Sequence, residues 1–370
     1  MDKQKIFDFA LKKFLFLSPI FFFKAYQLSF ARGLFFILGT FVLFGISLGI
    51  EPKRKFSNIW VALFLLLAFI RIFFDGNFGN PQNEWFNFWV SCAEFIYVFC
   101  GVLLFYVVYC YADNIKQYSK PILYVCILNL SLTFAQLMNI DFMWQRAPSI
   151  SGFMETSSQL GQYSAMALPV IFLIHPLLTI LPLTTLFISK SISSILAAAL
   201  GMALVGEFKG RNLKIKAGIG VLLVLVGILN FNYISAKFQC RPVMWQKTLK
   251  VALQRPYLGW GYNSFNEQVL GSKVGGSLGS REFRRAHNDY LHTTQELGFP
   301  IMIVVGLFFI NLFKKFIAIK NKDKLIICLA SSIIIVLINM SGQTTARYAS
   351  IMSTFVILLA LLCIKIDEGV

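Results

Sequence analysis

The sequence predicts an all-α polytopic membrane protein of about twelve transmembrane helices, with one large external loop that contains short helices. Three observations predict it. Of the 370 residues, 57% are hydrophobic and only 14% charged. Mean hydropathy is +0.69. Apolar runs of about 15–25 residues alternate with short polar breaks, the length a helix needs to cross a bilayer. A soluble core cannot bury this much apolar surface, to which 39 Phe contribute.

In chain order the runs are 14–30, 33–50, 56–74, 85–111, 121–140, 159–174, 177–189, 194–207, 217–234, 299–313, 325–340 and 348–365. Twelve crossings place both ends on one side. Pro176 and Pro182 make 159–207 the most interrupted part of the series. Basic residues assign the sides, because cytoplasmic loops are rich in Lys and Arg. The breaks placed inside carry Lys53-Arg54-Lys55, then Lys116 and Lys120, then Lys209, Arg211, Lys214 and Lys216. Lys314, Lys315, Lys320, Lys322 and Lys324 follow, and Lys3, Lys5, Lys12 and Lys13 precede them. The short outer breaks 75–84 and 141–157 hold one basic residue between them, Arg146. The net charge of +17 is therefore read as cytoplasmic loops and contact with membrane lipids, with no nucleic-acid partner. No cleavable signal peptide is expected, since the run after Lys13 lacks a small-residue cleavage site. The seven Cys include no CxxC pair and lie mostly in apolar stretches, so neither a disulfide framework nor a zinc site is indicated.

The chain divides into 1–234, nine spans; 235–298, a polar loop; and 299–370, three spans. The loop carries nine Lys/Arg against four Asp/Glu, and two of the three histidines. A loop this long escapes the positive-inside rule. Its cations need another explanation, and an anionic ligand is the natural one.

Arg241-Pro242-Val243-Met244-Trp245 opens the loop, with Pro242 suited to a first helical turn. Val243, Met244, Leu249, Ala252 and Leu253 then space out an amphipathic surface helix over 243–254. Arg255-Pro256 ends it, and Gly259 and Gly261 turn the chain. Residues 271–280 are Gly/Ser-rich, a connector or a lid. Arg281, Arg284, Arg285 and His287 follow within seven positions, either a solvated charge run or a pyrophosphate cradle. His287 reads either as a hinge-packing loop residue or as a base. On a helix His292 and Glu296 would share a face, but two ligands do not make a metal site. His175, before Pro176, reads as structural.

These fragments together resemble the O-antigen ligase and polymerase family of bacterial envelope glycosyltransferases. The resemblance rests on Arg241 with Trp245, on Pro256 with Leu258-Gly259-Trp260-Gly261 and Phe265, and on His287-Asn288 with Gly298 and Tyr290-Leu291 between. A second match is Gly152-Phe153 with Leu160-Gly161 and Pro169. The resemblance as a whole covers roughly 150–310. The family implies a GT-C-like helical fold and a polyprenyl-pyrophosphate-linked oligosaccharide donor. It also implies a saccharide or lipid A-core acceptor and inverting transfer at the outer face of the inner membrane, with no metal and no cofactor. Carried over residue by residue, Arg241 would hold the phosphates and His287 would take the acceptor proton. Asn288 would orient His287 or the acceptor sugar. Lys190, Arg284, Arg285, Arg347 and Trp245 would complete the pyrophosphate and glycan site. One departure stands out: the family's Ser-Arg pair aligns to a stretch with Ile192 in the arginine's place, leaving Lys190 as a point charge. That departure leans toward a polymerase or a divergent member. The rival class is a flippase for lipid-linked saccharide, which would place charges inside its spans. The clear ones here are Lys24, Arg71 and Glu94.

Overall fold

The computed structural model describes residues 2–20, 28–73, 84–113, 115–140, 150–154, 156–207, 241–262, 264, 265, 269 and 285–369. Among them every regular element is helical. The helices are α1 Lys3–Ile20, α2 Leu28–Ser47, α3 Ile59–Phe73, α4 Glu84–Tyr111, α5 Ser119–Leu137, α6 Ser157–Ile174, α7 Ile180–Ile188 and α8 Ile192–Glu207. Then come α9 Arg241–Gln254, α10 Asp289–Leu297, α11 Phe299–Ala318, α12 Lys324–Gly342 and α13 Ala349–Gly369. Two 3₁₀ turns, Ile115–Tyr118 and Pro176–Thr179, lead into α5 and α7.

Helix α13 is apolar on nearly every side, and the fold surrounds it. Ile351, Ile357, Ala360, Leu362, Ile364 and Ile366 are fully covered. It packs on α4, α12 and α1, with α2 beyond. A helix hydrophobic all round belongs at the centre of a bundle. Helix α12 is nearly as buried, wedged between α6 and α8. Ala197, Ala198 and Ala199 on α8 are buried. Such small side chains let helix backbones approach closely where lipid offers no hydrophobic drive.

Among the described residues, five helices are long and apolar enough to cross a membrane: Ser91–Tyr111, Ile115–Leu137, Phe299–Ala318, Lys324–Gly342 and Ala349–Gly369. Arg32–Ser47, Ile59–Ile72, Pro176–Ile188 and Ile192–Ala203 are apolar but shorter. The span read at 217–234 lies outside the described residues. The first helix differs most from the reading at 14–30. It begins at Lys3, because Phe7, Leu11, Phe14 and Leu15 form one buried stripe while Lys5 and Lys13 stay on the exposed side. Charges on the outer face hid its first turns from a hydropathy reading.

Helix ends sort into two faces. At one, Gln4 donates to Tyr111 O at 3.0 Å and Tyr118 to Asp8 at 2.8 Å. Arg54 there pairs with Glu368 at 2.6 Å, and Lys315 with Asp367 at 2.9 Å. At the other, Ser18 bonds Ser353 at 2.6 Å, Arg241 donates to Gly342 O at 2.7 Å, and Tyr262 to Ala68 O at 3.3 Å. Lys53, Arg54, Lys315 and Lys322 thus lie at the end opposite α9 and α10. With the basic end inside, as the charge pattern predicts, single cysteines at Tyr257→Cys and Lys322→Cys should label from opposite sides of the membrane, the first in intact cells and the second only after permeabilisation. Labelling of both from one side would overturn this arrangement.

Candidate functional site

Helix α9 begins at Arg241 with Pro242 in its first turn, where a missing N–H costs nothing. Its inner stripe is Met244, Thr248, Val251 and Ala252. Met244 and Val251 close on Phe265, Val269 and Ala286. Of the apolar face expected from the sequence, Met244 and Ala252 are buried, while Val243, Leu249 and Leu253 stay exposed. That second, exposed apolar flank suits a helix lying in an interface. Beyond it the Arg255 guanidinium sits 4.2 Å over the Trp260 ring, whose Nε1 donates to Val251 O at 2.8 Å.

Two glycines let the loop cross itself. Gly259 has φ 65° and Gly298 φ 84°. A Cβ on Gly259 would strike the Glu296 carbonyl, and one on Gly298 the Tyr257 carbonyl. Only glycine combines the left-handed backbone with that approach. Trp260 N and Gly261 N then donate to Gln295 O and Glu296 O, both at 2.9 Å. The turn after α9 is thereby fastened to the end of α10.

Arg241 meets the far end of α12 through Gly342 O. The next residue, Gln343, donates to Ser193 Oγ at 2.9 Å. Ser191 and Ser194 bond one another at 2.8 Å, and Ser194 reaches Asn339 of α12 at 3.1 Å. The Ser189–Ser194 stretch, with exposed Lys190 at its tip, therefore shares one corner with Arg241. Ile192, where the family arginine was sought, opens α8. Among the described non-glycine residues only Asn139, Lys190 and His287 have left-handed φ. Two of the three are site residues read from the sequence, and backbone strain collects at functional turns.

Across from Arg241, Trp245 Nε1 donates to Ala286 O at 3.0 Å, and His287 follows with φ 50°. Asn288 caps α10, its Oδ1 accepting from Leu291 N at 3.1 Å. Arg285 lies 5.2 Å over the Tyr348 ring. The structure thus brings Arg241, Trp245, Arg285, His287 and Asn288 together, with Lys190 beside them through Ser193. Arg284 and residues 271–280 lie outside the described residues. His175 Nδ1 accepts from Leu177 N at 3.2 Å, capping the 3₁₀ turn in a structural role.

Arg347 stands apart from the other cations. It pairs with Glu296 and, at 3.7 Å, with Glu94 of α4. Any phosphate would compete there with two carboxylates. Burial opposes ionisation of Glu296, yet the Arg347 charge and the His292 contact hold its carboxyl below the usual range. Glu296 is 1% exposed. Arg347→Ala would strand that charge, which costs about 3–5 kcal/mol. The thermal midpoint in detergent should fall accordingly, and adding Glu296→Gln should restore most of it. No fall would mean that Glu296 is not held by Arg347.

Sequence reasoning missed Asp289. Its Oδ2 accepts from Thr345 N at 2.6 Å and Ala346 N at 2.8 Å, tying the first turn of α10 to the α12–α13 connection. Burial pushes its carboxyl up to about 6, against the pull of those two amides. His292 and Glu296 do share a helix face, as the spacing suggested. They bond each other at 3.1 Å, however, and the other Glu296 oxygen faces Arg347. Nothing in the sequence linked that pair to an arginine 51 residues on.

Beneath this cap lies a cavity of about 320 Å³. Its walls are apolar, with Phe64, Val102, Phe105, Phe308, Phe355 and Leu359 from α3, α4, α11 and α13. Its polar end is formed by Glu94, Asp289, Glu296 and Arg347.

Fold and site together define a polytopic helical membrane protein with a basic, histidine-bearing cap over an apolar cavity. Residues 177–306 match the family model described as O-antigen ligase. The match takes in Lys190, Arg241, Trp245, Arg284, Arg285, His287 and Asn288, and leaves Arg347 and the Gly152-Phe153 segment outside it. No curated protein matches the chain.

Proposed function

We propose that this chain is a membrane glycosyltransferase of the O-antigen polymerase or ligase type, acting on a polyprenyl-pyrophosphate-linked oligosaccharide at the outer face of the inner membrane. The observation that carries the reading is the grouping of Arg241, Arg285 and His287 on the cap that lies over an apolar cavity. A lipid-linked pyrophosphate has that same division: a hydrocarbon tail for the cavity and an anionic head for the arginines. Arg241 is the first phosphate ligand, with Lys190, Arg284 and Arg285 behind it. His287 takes the proton of the acceptor hydroxyl as its oxygen bonds the anomeric carbon. The carbon–oxygen bond to pyrophosphate breaks, the lipid pyrophosphate leaves with the electron pair, and the anomeric centre inverts. Fixed cations stabilise the leaving charge without a divalent metal or other cofactor. The acceptor is a second lipid-linked repeat or lipid A-core. In this reading twelve spans with GT-C-like topology carry residues 235–298 as the outer catalytic loop.

Two contacts favour this reading over a flippase. Arg71, read as a charge within a span, donates to Glu296 O at 3.3 Å, and Glu94 faces Arg347. Arg71 thereby serves the cap, and Glu94 is paired with Arg347 at one end of the cavity, whereas a flippase would line a continuous central path with its charges. The test is a liposome reconstitution with purified lipid-linked oligosaccharide and acceptor, following glycan length and released polyprenyl pyrophosphate. Donor crossing the bilayer without a new glycosidic bond would move the assignment to the flippase. Deletion of the gene separates the two transferases: single-repeat surface glycan marks a lost polymerase, and long chains left on carrier lipid mark a lost ligase.

A further inference from the structure

Two side chains hold the two peptide groups that flank Ala286, just before His287. Trp245 Nε1 donates to the Ala286 carbonyl at 3.0 Å, and the Ala286 amide donates to His292 Nδ1 at 3.4 Å. Ala286 is 1% exposed. The next residue, His287, has φ 50°. That region is unfavourable for a residue with a Cβ, so surrounding contacts must hold the chain in it.

The His292 ring is itself tightly fixed. A nitrogen that accepts from an amide carries no proton, so Nε2 bears it and donates to Glu296 Oε1 at 3.1 Å. The ring stacks on Phe265, with centroids 4.6 Å apart and planes 14° apart, and is 4% exposed. Glu296 is held in turn by Arg347 on its second oxygen, and by Arg71 and Gly261 on its carbonyl. The charged groups bearing on His292 are Glu296 on its own helix, Arg347 from the α12–α13 connection and Arg285 just before Ala286. Burial and the two arginines favour the neutral ring, which is the form able to accept at Nδ1.

We propose that Trp245 and His292 are positioning residues that clamp the Ala286 backbone on both sides and so fix the His287 imidazole relative to Arg241, one helical turn before Trp245 on α9. The sequence reading gave Trp245 to the glycan and left His292 without a task. The clamp connects the helix that carries the phosphate ligand to the turn that carries the base. Its kinetic consequence rests on the transferase reading; its geometry does not.

The experiment combines hydrogen exchange with kinetics on the full chain in nanodiscs, using Trp245→Phe, His292→Leu and His292→Asn. Phe and Leu keep packing volume and remove the bond to Ala286. The Asn carboxamide oxygen falls near the Nδ1 position and can still accept. Exchange over 285–288 should quicken about tenfold in the Phe and Leu variants, the worth of one such bond, and stay near wild type in His292→Asn. With lipid-linked donor, kcat should fall about tenfold in the same two variants while KM for the donor moves less than about twofold. The double variant should lose less than the product of the single losses, because both side chains act on the backbone of one residue. Unchanged exchange in both Trp245→Phe and His292→Leu would overturn the clamp, as would a loss confined to KM. Should His292→Leu fail to fold, Trp245→Phe and His292→Asn still decide the point. If wild type transfers no glycan while exchange behaves as stated, the transferase reading falls and the clamp stands.

Discussion

Arg241→Ala should abolish glycan transfer, with a fall of at least about a hundred- to a thousandfold, the usual cost of removing a preorganised group from a developing anion. Arg241→Lys should recover little. Nη1 already holds Gly342 O at 2.7 Å, yet a guanidinium has five N–H groups and can keep that bond while presenting others to phosphate oxygens. An ammonium is a point charge without the planar fork that matches two oxygens at once. Loss of the bond to Gly342 O costs about 1 kcal/mol. A thermal midpoint close to wild type beside lost transfer would therefore locate the defect in the site. Lys190→Ala should weaken donor use by about tenfold if it stands in for the arginine absent at Ile192, a loss of roughly 1.4 kcal/mol. Full activity in Lys190→Ala would shift that role to another cation. The structure nominates Arg285 over Arg347, because Arg347 faces Glu296 and Glu94. Survival of transfer in Arg241→Ala would remove the central phosphate ligand and with it this account of the leaving group.

Much of the bundle was legible because crossing a membrane leaves a coarse signal. The runs read at 85–111, 299–313, 325–340 and 348–365 correspond to α4, α11, α12 and α13, with ends shifted by a few residues. Helix α9 was legible too, from Pro242 in its first turn and Arg255-Pro256 at its end. The first helix was not, since its charged residues and its buried stripe alternate within the same turns. The turn elements of the site could be found by motif: Arg241, Gly259, His287 and Gly298 carry backbone or charge requirements that few residue types meet. What joins them could not. Asp289 on the Thr345 and Ala346 amides, Arg347 on Glu296, and Trp245 on Ala286 are contacts between segments 41 to 57 residues apart, set by how α10 docks on the bundle. His292 and Glu296 were visible as a helical pair. Their spacing alone could not separate a metal-binding pair from a hydrogen-bonded one. The structure separates them by showing Arg347 against the carboxylate and the Ala286 amide against the ring.

His287→Ala should cost about a hundredfold or more in turnover, the common loss when a positioned general base is removed. Donor binding should persist, because in the proposed site Arg241 and its neighbours hold the pyrophosphate. Backbone and side chain must be separated in this test, since His287 sits at φ 50° and alanine is disfavoured there. His287→Gly provides the separation: glycine adopts that backbone without penalty and still lacks the imidazole. Both variants should be equally inactive if the ring does the chemistry. Activity in the glycine variant alone would make His287 a turn residue rather than a base. Loss in His292→Leu should stay well below that of His287→Ala, since a clamp orients the base and does not replace it. The same mechanism expects transfer to continue in excess EDTA, because arginine and lysine supply the charge that a metal would otherwise bring. Each arm uses one reconstituted reaction with purified lipid-linked donor. Activity lost on chelation and regained with Mg²⁺ or Mn²⁺ would overturn the metal-free step. Near-normal turnover in both His287 variants would leave the acceptor proton to another group, and Asp289, two residues on and buried at the cavity's polar end, would be the next to test.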